Sequence, residues 1–317
     1  MREGLFLKKN IEKWKQYQAE TPSDPDEMAN RFNDLVNDLG YSKTFYPHSR
    51  VTQFLNGLAS SIYLRIYENK KEETSRLFRF WKTELPLIVR KHHRTLFYSF
   101  GIFIFFAIVA VFSSAHDESF VRGVLSDQYV DMTEENISKG DPFGVYKNDN
   151  QLDMFFTIAL NNIMVAIKCF VSGITLSIMT VYILFKNGVM VGAFEYMFFA
   201  KGLGMSSVLV IWIHGTLEIS AIIISGGAGM ILGNSILFPG TLKRIESLKQ
   251  GAKDGTKIMI GLIPIFVTAA FFEGFITRYT SMPIWLSILI LMGSASFIIW
   301  YFVIYPIRVK KRMEVAS

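Results

Sequence analysis

One uncharged run of apolar residues restricts this chain more than any other feature. Residues 96–115, LFYSFGIFIFFAIVAVFSSA, contain no Asp, Glu, Lys or Arg. An α-helix rises about 1.5 Å per residue, so about 20 such residues cross the roughly 30 Å hydrocarbon core of a bilayer. A second uncharged run, residues 279–307, is interrupted only by Pro283 and Pro306. These two runs exclude a soluble enzyme and predict an integral membrane protein.

Further apolar segments lie between these two runs and predict an all-α polytopic protein with about six transmembrane helices. The third segment is short for a full crossing, so a re-entrant segment is the alternative there. We expect the chain to turn at Lys186-Asn187-Gly188, between the second and third spans. The predicted spans are residues 96–114, 154–185, 189–202, 205–227, 258–277 and 284–305.

The charges alternate along the chain in the pattern of a multi-pass membrane protein. Residues 1–95 contain 17 basic and 12 acidic residues, whereas residues 115–150 contain 3 basic and 8 acidic ones. Cytoplasmic segments next to spans are enriched in Lys and Arg. We therefore predict a cytosolic helical region (1–95), a transmembrane domain (96–305) with an acidic external loop (115–150), and a basic cytoplasmic tail (306–317). Both termini are then cytoplasmic, and the basic residues are expected to meet membrane lipids rather than nucleic acid.

Several polar residues fall inside the predicted spans, where each normally has a partner or a function because burial in lipid is costly. His214 and Glu218 are four residues apart and therefore share one helix face. Three interpretations stay open: helix-to-helix pairing, a proton or substrate pathway formed by the carboxylates, and a metal site. The candidate set is Asn161, Asn162, Lys168, Glu195, His214, Glu218 and Glu273.

Catalytic and metal-binding motifs do not account for these residues. The segment HGTLE lacks the HExxH spacing that places two histidines and a base on one helix face, and no GxSxG motif occurs. We therefore predict no catalytic residue, no metal and no cofactor. Small residues predict close helix packing and would allow a homo-oligomer. These are Gly188, Gly192, Gly226, Gly229 and Gly233.

The segment HGTLEISAIIISGGAG (214–229) resembles the central signature of the stage II sporulation protein M family of bacterial membrane proteins. Weaker similarities lie in order around it, at residues 55–67, 80–96, 166–176 and 264–277, so the resemblance covers about residues 50–305. It implies a bacterial inner-membrane location. The namesake of the family anchors a membrane complex with peptidoglycan-cleaving partners during engulfment, whereas members in non-sporulating bacteria have no defined role.

Two functional hypotheses follow. The first is a non-enzymatic membrane scaffold or anchor for a cell-envelope or peptidoglycan-remodelling complex, with protein partners at the loop 115–150 or the region 1–95. The second is a transporter or lipid-handling protein that uses a polar intramembrane cavity. The two hypotheses differ in a feature that a structure reveals, because only the second requires the intramembrane polar residues to converge on one accessible cavity.

Overall fold

The computed structural model describes residues 2–20, 22, 24–68, 75–143, 151–277 and 282–316. The chain is helical throughout these residues and forms no strand within them. It divides into two compact units, Met1–Phe78 and Arg79–Ser317. The last seven residues of the predicted acidic loop, 144–150, lie outside the described part.

The first unit is a small helical bundle with its own core. Its helices are α1 (Glu3–Ala19), α2 (Pro25–Phe45) and α3 (Arg50–Glu68). Trp14, Leu35 and Leu55, one from each helix, are completely buried together. The indole nitrogen of Trp14 also donates a hydrogen bond of 2.8 Å to the Asp38 carboxylate. The buried side chains of the three helices form one apolar cluster, as expected for a unit held together by amphipathic stripes.

The second unit begins with a short helical approach to the membrane. Helix α4 (Ser75–Arg79) ends at the boundary of the two units, and the second unit continues with a π-helical turn (Phe80–Glu84) and α5 (Leu85–Lys91). Leu85, Ile88 and Val89 are buried in the largest apolar cluster of the unit. The residues just before the first span therefore pack against the membrane helices.

Six helical segments of the described chain are long and apolar enough to cross a membrane. They comprise α6 (His93–His116), α9 (Gln151–Val171), α10 (Ile178–Ala200), α11 (Gly204–Leu237), α12 (Arg244–Phe271) with its π-helical turn (Phe272–Ile276), and α13 (Ile284–Ile299), which continues through a π-helical turn (Trp300–Ile304) into α14 (Tyr305–Ala316). Helix α11 is the most enclosed of these segments, whereas α6, α9 and the segment that begins with α13 leave most of their apolar residues on the outside of the unit.

The predicted boundary between the second and third spans is wrong. The turn lies at residues 172–177, where Ser172–Thr175 form a 3₁₀ turn and Leu176 and Ser177 adopt positive φ angles of 56° and 69°. Helix α10 then continues through Lys186, Asn187 and Gly188 for 23 residues. The third span is therefore a full-length helix and not a half-crossing.

The predicted packing glycines all lie at close helix contacts within this one chain. A Cβ atom at Gly192 would lie 2.3 Å from the Ala107 carbonyl oxygen, and one at Gly229 would lie 2.5 Å from the Cys169 carbonyl oxygen. Equivalent contacts under 3.0 Å occur at Gly188, Gly226 and Gly233. These faces are used inside the unit, so they do not offer a surface to a second copy.

The described part of the acidic loop folds as two helices that pack on the membrane unit. Helix α7 (Glu118–Leu125) begins with an Asp117 cap, whose carboxylate accepts the Ser119 N–H, and α8 (Asp127–Ser138) follows it. Val121 and Val130 bury against Phe198 near the end of α10. Glu134 of α8 pairs with Lys201 at 2.7 Å. The described part of the loop therefore covers this end of the helices.

Candidate functional site: a polar intramembrane cavity

A cavity of about 630 Å³ lies between the membrane helices, beneath α7 and α8. Helices α9, α10, α11 and the π-helical turn of residues 272–276 supply its polar lining, and Phe103 of α6 contributes to its apolar wall. Val124, Leu125 and Tyr129 line it from the loop helices. Burial raises the pKa of the Tyr129 phenol above its ordinary value, so this part of the lining stays uncharged at neutral pH.

Six of the seven predicted polar residues line this one cavity: Asn161, Asn162, Glu195, His214, Glu218 and Glu273. Lys168 does not line it. It lies six residues beyond Asn162, near the end of α9 at Val171, and its side chain is exposed. The cavity therefore gathers the predicted carboxylates and the histidine but leaves the predicted lysine outside.

The cavity is acidic. Its charged lining consists of Glu195, Glu218 and Glu273, and no Lys or Arg lines it among the residues that the structure describes. Three carboxylates in a site of low dielectric constant repel one another unless protons or a cation accompany them. The composition of the lining therefore favours a positively charged occupant.

Glu195 is held in place by side chains from the beginning of α11. The indole nitrogen of Trp212 donates to one carboxylate oxygen at 2.7 Å, and the Ser207 hydroxyl donates to the other at 3.1 Å. These two bonds join α10 to α11 across the turn at residues 201–203. Neither Ser207 nor Trp212 is among the predicted site residues, because neither carries a charge that would mark it within an apolar segment.

The second group of polar side chains comprises His214, Glu218 and Glu273. One ligand-type atom from each of the three residues lies within 4.8 Å of the others. The Nε2 atom of His214 is 3.8 Å from the nearer Glu273 oxygen. Asn162 of α9 lines the same cavity beside this group. The group itself joins α11 to the π-helical turn.

The backbone around Glu273 departs from regular helix. Residues Phe272–Ile276 form a π-helical turn, and the Thr277 N–H closes it on the Phe272 carbonyl at 2.8 Å. Single π turns inside α-helices occur frequently at functional sites. The turn also delivers Thr277, whose hydroxyl oxygen is 3.0 Å from Nδ1 of His214. The sequence offers one signal for Thr277, since it follows Glu273 by four residues and shares its face.

Asn187 is a further cavity residue that the sequence does not predict. Its amide donates to the Ile183 carbonyl at 2.8 Å within α10, and the side chain lines the cavity. In the sequence it stands between a lysine and a glycine, a combination that is typical of a turn.

At the opposite end of the membrane helices from α7 and α8, Asp254 of α12 contacts the junction between α5 and α6. Its carboxylate accepts from Lys91 Nζ at 2.7 Å and contacts His92 Nε2 at 2.8 Å. Lys91 is one of the basic residues of the 1–95 region that we expect to meet membrane lipids, and His92 follows it directly. The structure gives both of them a contact inside the unit.

The fold and the cavity define a class, the multi-pass helical membrane proteins with a polar site between their helices. Within this class, the family model described as Stage II sporulation protein M matches residues 99–278, more than half of the chain. The chain belongs to that family. A second family model, a domain of unknown function (DUF8413), matches residues 4–68 in the first unit. Comparison with curated proteins and with solved structures gives no match.

Proposed function

We propose that this protein is a transporter or lipid-handling membrane protein that admits a small cation, or the cationic head of a larger molecule, into its intramembrane cavity. The convergence of six polar residues on one cavity carries this proposal. Its volume of about 630 Å³ falls within the usual range of roughly 300–1,000 Å³ for small-molecule sites. The role proposed is binding and passage rather than catalysis.

The orientation that goes with this proposal is the one that the charges favour. The predominantly basic segments of residues 1–95 and 306–317 lie in the cytoplasm of a bacterium, and α7 and α8 face the outside of its inner membrane. An even number of crossings brings the chain back to the side on which the first span begins, which agrees with this arrangement.

Thiol accessibility tests the proposal directly. Met190 lines the cavity, whereas Ile108 on α6 is 63% exposed on the outer face of the unit. In a background in which the buried Cys169 is replaced by Ala, we compare Met190→Cys with Ile108→Cys in proteoliposomes. A water-soluble cationic thiol reagent should modify Met190→Cys at least about tenfold faster than an anionic reagent of similar size, because the carboxylates attract it. Ile108→Cys should show no such preference.

Two further results complete this test. The preference for the cationic reagent should fall when Glu218 and Glu273 are both replaced by Gln. If neither reagent modifies Met190→Cys from either side of the membrane, or if both do so equally fast in the parent protein, the cavity is not a cation pathway and the proposal fails.

The second candidate is the scaffold or anchor for a cell-envelope or peptidoglycan-remodelling complex, which membership of the family favours. It requires a protein partner on the first unit or on α7 and α8. A photo-crosslinker at Leu64, 63% exposed on α3, or at Asp131 of α8 should then capture a peptidoglycan-remodelling protein in intact cells. Failure at both positions, with the protein present at its normal level, removes this candidate.

A further inference from the structure

The hydrogen bonds around His214 fix which of its ring nitrogens faces the carboxylates. Nδ1 lies 3.0 Å from the Thr277 hydroxyl oxygen, which also contacts the Phe272 carbonyl at 3.1 Å. Nε2 is therefore the ring nitrogen on the side of the carboxylates, 3.8 Å from the nearer Glu273 oxygen. A histidine whose second nitrogen donates to a neighbouring oxygen is the usual arrangement in metal sites.

The spacing of the three side chains is close to that of a metal site. Ligand atoms of a tetrahedral zinc ion at bond lengths of about 2.0–2.1 Å stand roughly 3.3 Å apart. The corresponding atoms of His214, Glu218 and Glu273 lie within 4.8 Å of one another. Small side-chain rotations would close this difference, because Glu218 and Glu273 border the cavity and have room to move.

We propose that His214, Glu218 and Glu273 bind one divalent transition-metal ion of the Zn²⁺ class. The imidazole nitrogen favours such an ion over Mg²⁺ or Ca²⁺, which prefer all-oxygen sites. Two carboxylates balance the charge of the ion. Among the residues that the structure describes, no Lys or Arg lines the cavity. Three protein ligands leave a fourth position toward the cavity, which water or a solute group occupies.

This inference rests on the proposed function and narrows it, since it names the class of cation that the acidic cavity takes. The alternative occupant of the same three groups is a shared proton. Both would relieve the repulsion between the two carboxylates. Only a metal ion would bind with a fixed stoichiometry and with a spectrum that reports the histidine.

The test uses the full-length protein in detergent, stripped with a chelator and reloaded with Zn²⁺ or Co²⁺. Elemental analysis after removal of free metal should find one ion per chain. The Co²⁺ form should show the visible absorption of four-coordinate cobalt. His214→Gln and Glu273→Gln should each weaken binding by at least about 100-fold. Glu246→Gln, which removes an exposed carboxylate at the far end of α12, should leave binding unchanged.

Folding of each variant is checked without metal, by gel filtration and thermal unfolding. If one variant at the site does not fold, the other supplies the result, and the metal count of the parent protein stands by itself. Sub-stoichiometric metal in the parent, or binding that both site variants retain, overturns the metal site. If no metal binds while Met190→Cys still prefers the cationic reagent, this inference fails and the proposed function stands. If the protein neither binds metal nor shows the preference for the cationic reagent at Met190→Cys, both the metal site and the proposed function fail.

Discussion

Thr277 acts on His214 through a single hydroxyl group, and its contribution can be isolated by substitutions of nearly equal volume. Thr277→Val removes the hydroxyl that lies 3.0 Å from Nδ1 while keeping the branched shape of the side chain. We expect metal affinity to fall about 10–100-fold, the usual effect of losing such a supporting partner. Thr277→Ser keeps the hydroxyl and should bind like the parent. Titration of Co²⁺ absorption measures both, and equal affinity of the Val and Ser variants would contradict the orientation assigned to the ring.

Gly229 is a position at which a single added methyl group should destabilise the fold. A Cβ atom there would lie 2.5 Å from the Cys169 carbonyl oxygen and 2.7 Å from the Thr180 hydroxyl, so α9, α10 and α11 would have to move apart. We expect Gly229→Ala to lower the free energy of unfolding by about 1–3 kcal/mol, the usual range for overpacking.

The matched control for Gly229→Ala is Gly101→Ala on α6. Nothing lies within 4 Å of a Cβ atom at Gly101, and its helix surface is exposed. Thermal unfolding in one detergent compares the two variants. Equal midpoints would mean that these helices separate more easily than their contacts indicate.

At the scale of the helices, His92 connects the start of α6 to α12 and makes this connection dependent on pH. Burial lowers the pKa of His92 below its ordinary value, against the opposing effect of the Asp254 carboxylate. The folded protein therefore binds fewer protons at His92 than the unfolded chain does. Stability from this group is present above about pH 6.5, the ordinary value for histidine, and decreases as the pH falls through it toward the lower folded pKa.

His92→Gln tests this sign, because glutamine can still donate to Asp254 and does not titrate. The unfolding temperature of the parent protein should drop more between pH 7.5 and pH 5.5 than that of the variant. Lys91 stays paired with Asp254 in both proteins, so the contribution of this ion pair to the unfolding temperature is the same in both. An equal drop in the two proteins would show that His92 does not contribute to the pH dependence.

The number of membrane-spanning helices follows from hydropathy alone, but the positions of the turns between them do not. Residues 172–177, SGITLS, contain no charge or proline, and two residues other than glycine take the left-handed conformation there. Local hydroxyl bonds support this turn, for example from the Met179 N–H to the Thr175 hydroxyl. Nothing in the hydropathy distinguishes such a turn from a continuous span.

The opposite error arises at residues 186–188, which have the composition of a turn but lie inside α10. Gly188 is small because the Phe103 carbonyl of α6 lies 2.7 Å from where its Cβ atom would be. Asn187 is polar because it lines the cavity. These are long-range reasons, which a single sequence does not reveal.

Some residues of the site could be predicted from the sequence and others could not. An ionisable residue in an apolar span stands out, so Glu195, His214, Glu218 and Glu273 could be predicted from their cost in lipid. Their convergence could not, because it depends on which faces of α9, α10 and α11 meet. Ser207, Trp212 and Thr277 carry no charge and are identified only by their bonds to the residues that do.

At the scale of the whole molecule, the chain joins a membrane unit to a first unit that has a core of its own. The two family models divide at the same place, since one ends at residue 68 and the other begins at residue 99. A unit of this size buries a smaller share of its surface than a larger domain does, so its stability depends on a few large side chains. Trp14, Leu35 and Leu55 are the ones that are completely buried.

Residues 1–78 expressed alone should therefore form a soluble helical monomer that unfolds cooperatively in urea. Leu55→Ala should lower the free energy of unfolding by about 2–5 kcal/mol, because it leaves a cavity in the centre of the bundle. Leu64→Ala, at a position 63% exposed on the same helix, should change it by less than about 0.5 kcal/mol. Circular dichroism during urea titration measures both. If the isolated segment is unfolded, or if the two variants lose equal stability, the first unit depends on contacts outside itself, and an interaction surface would have to be sought at α1 to α3.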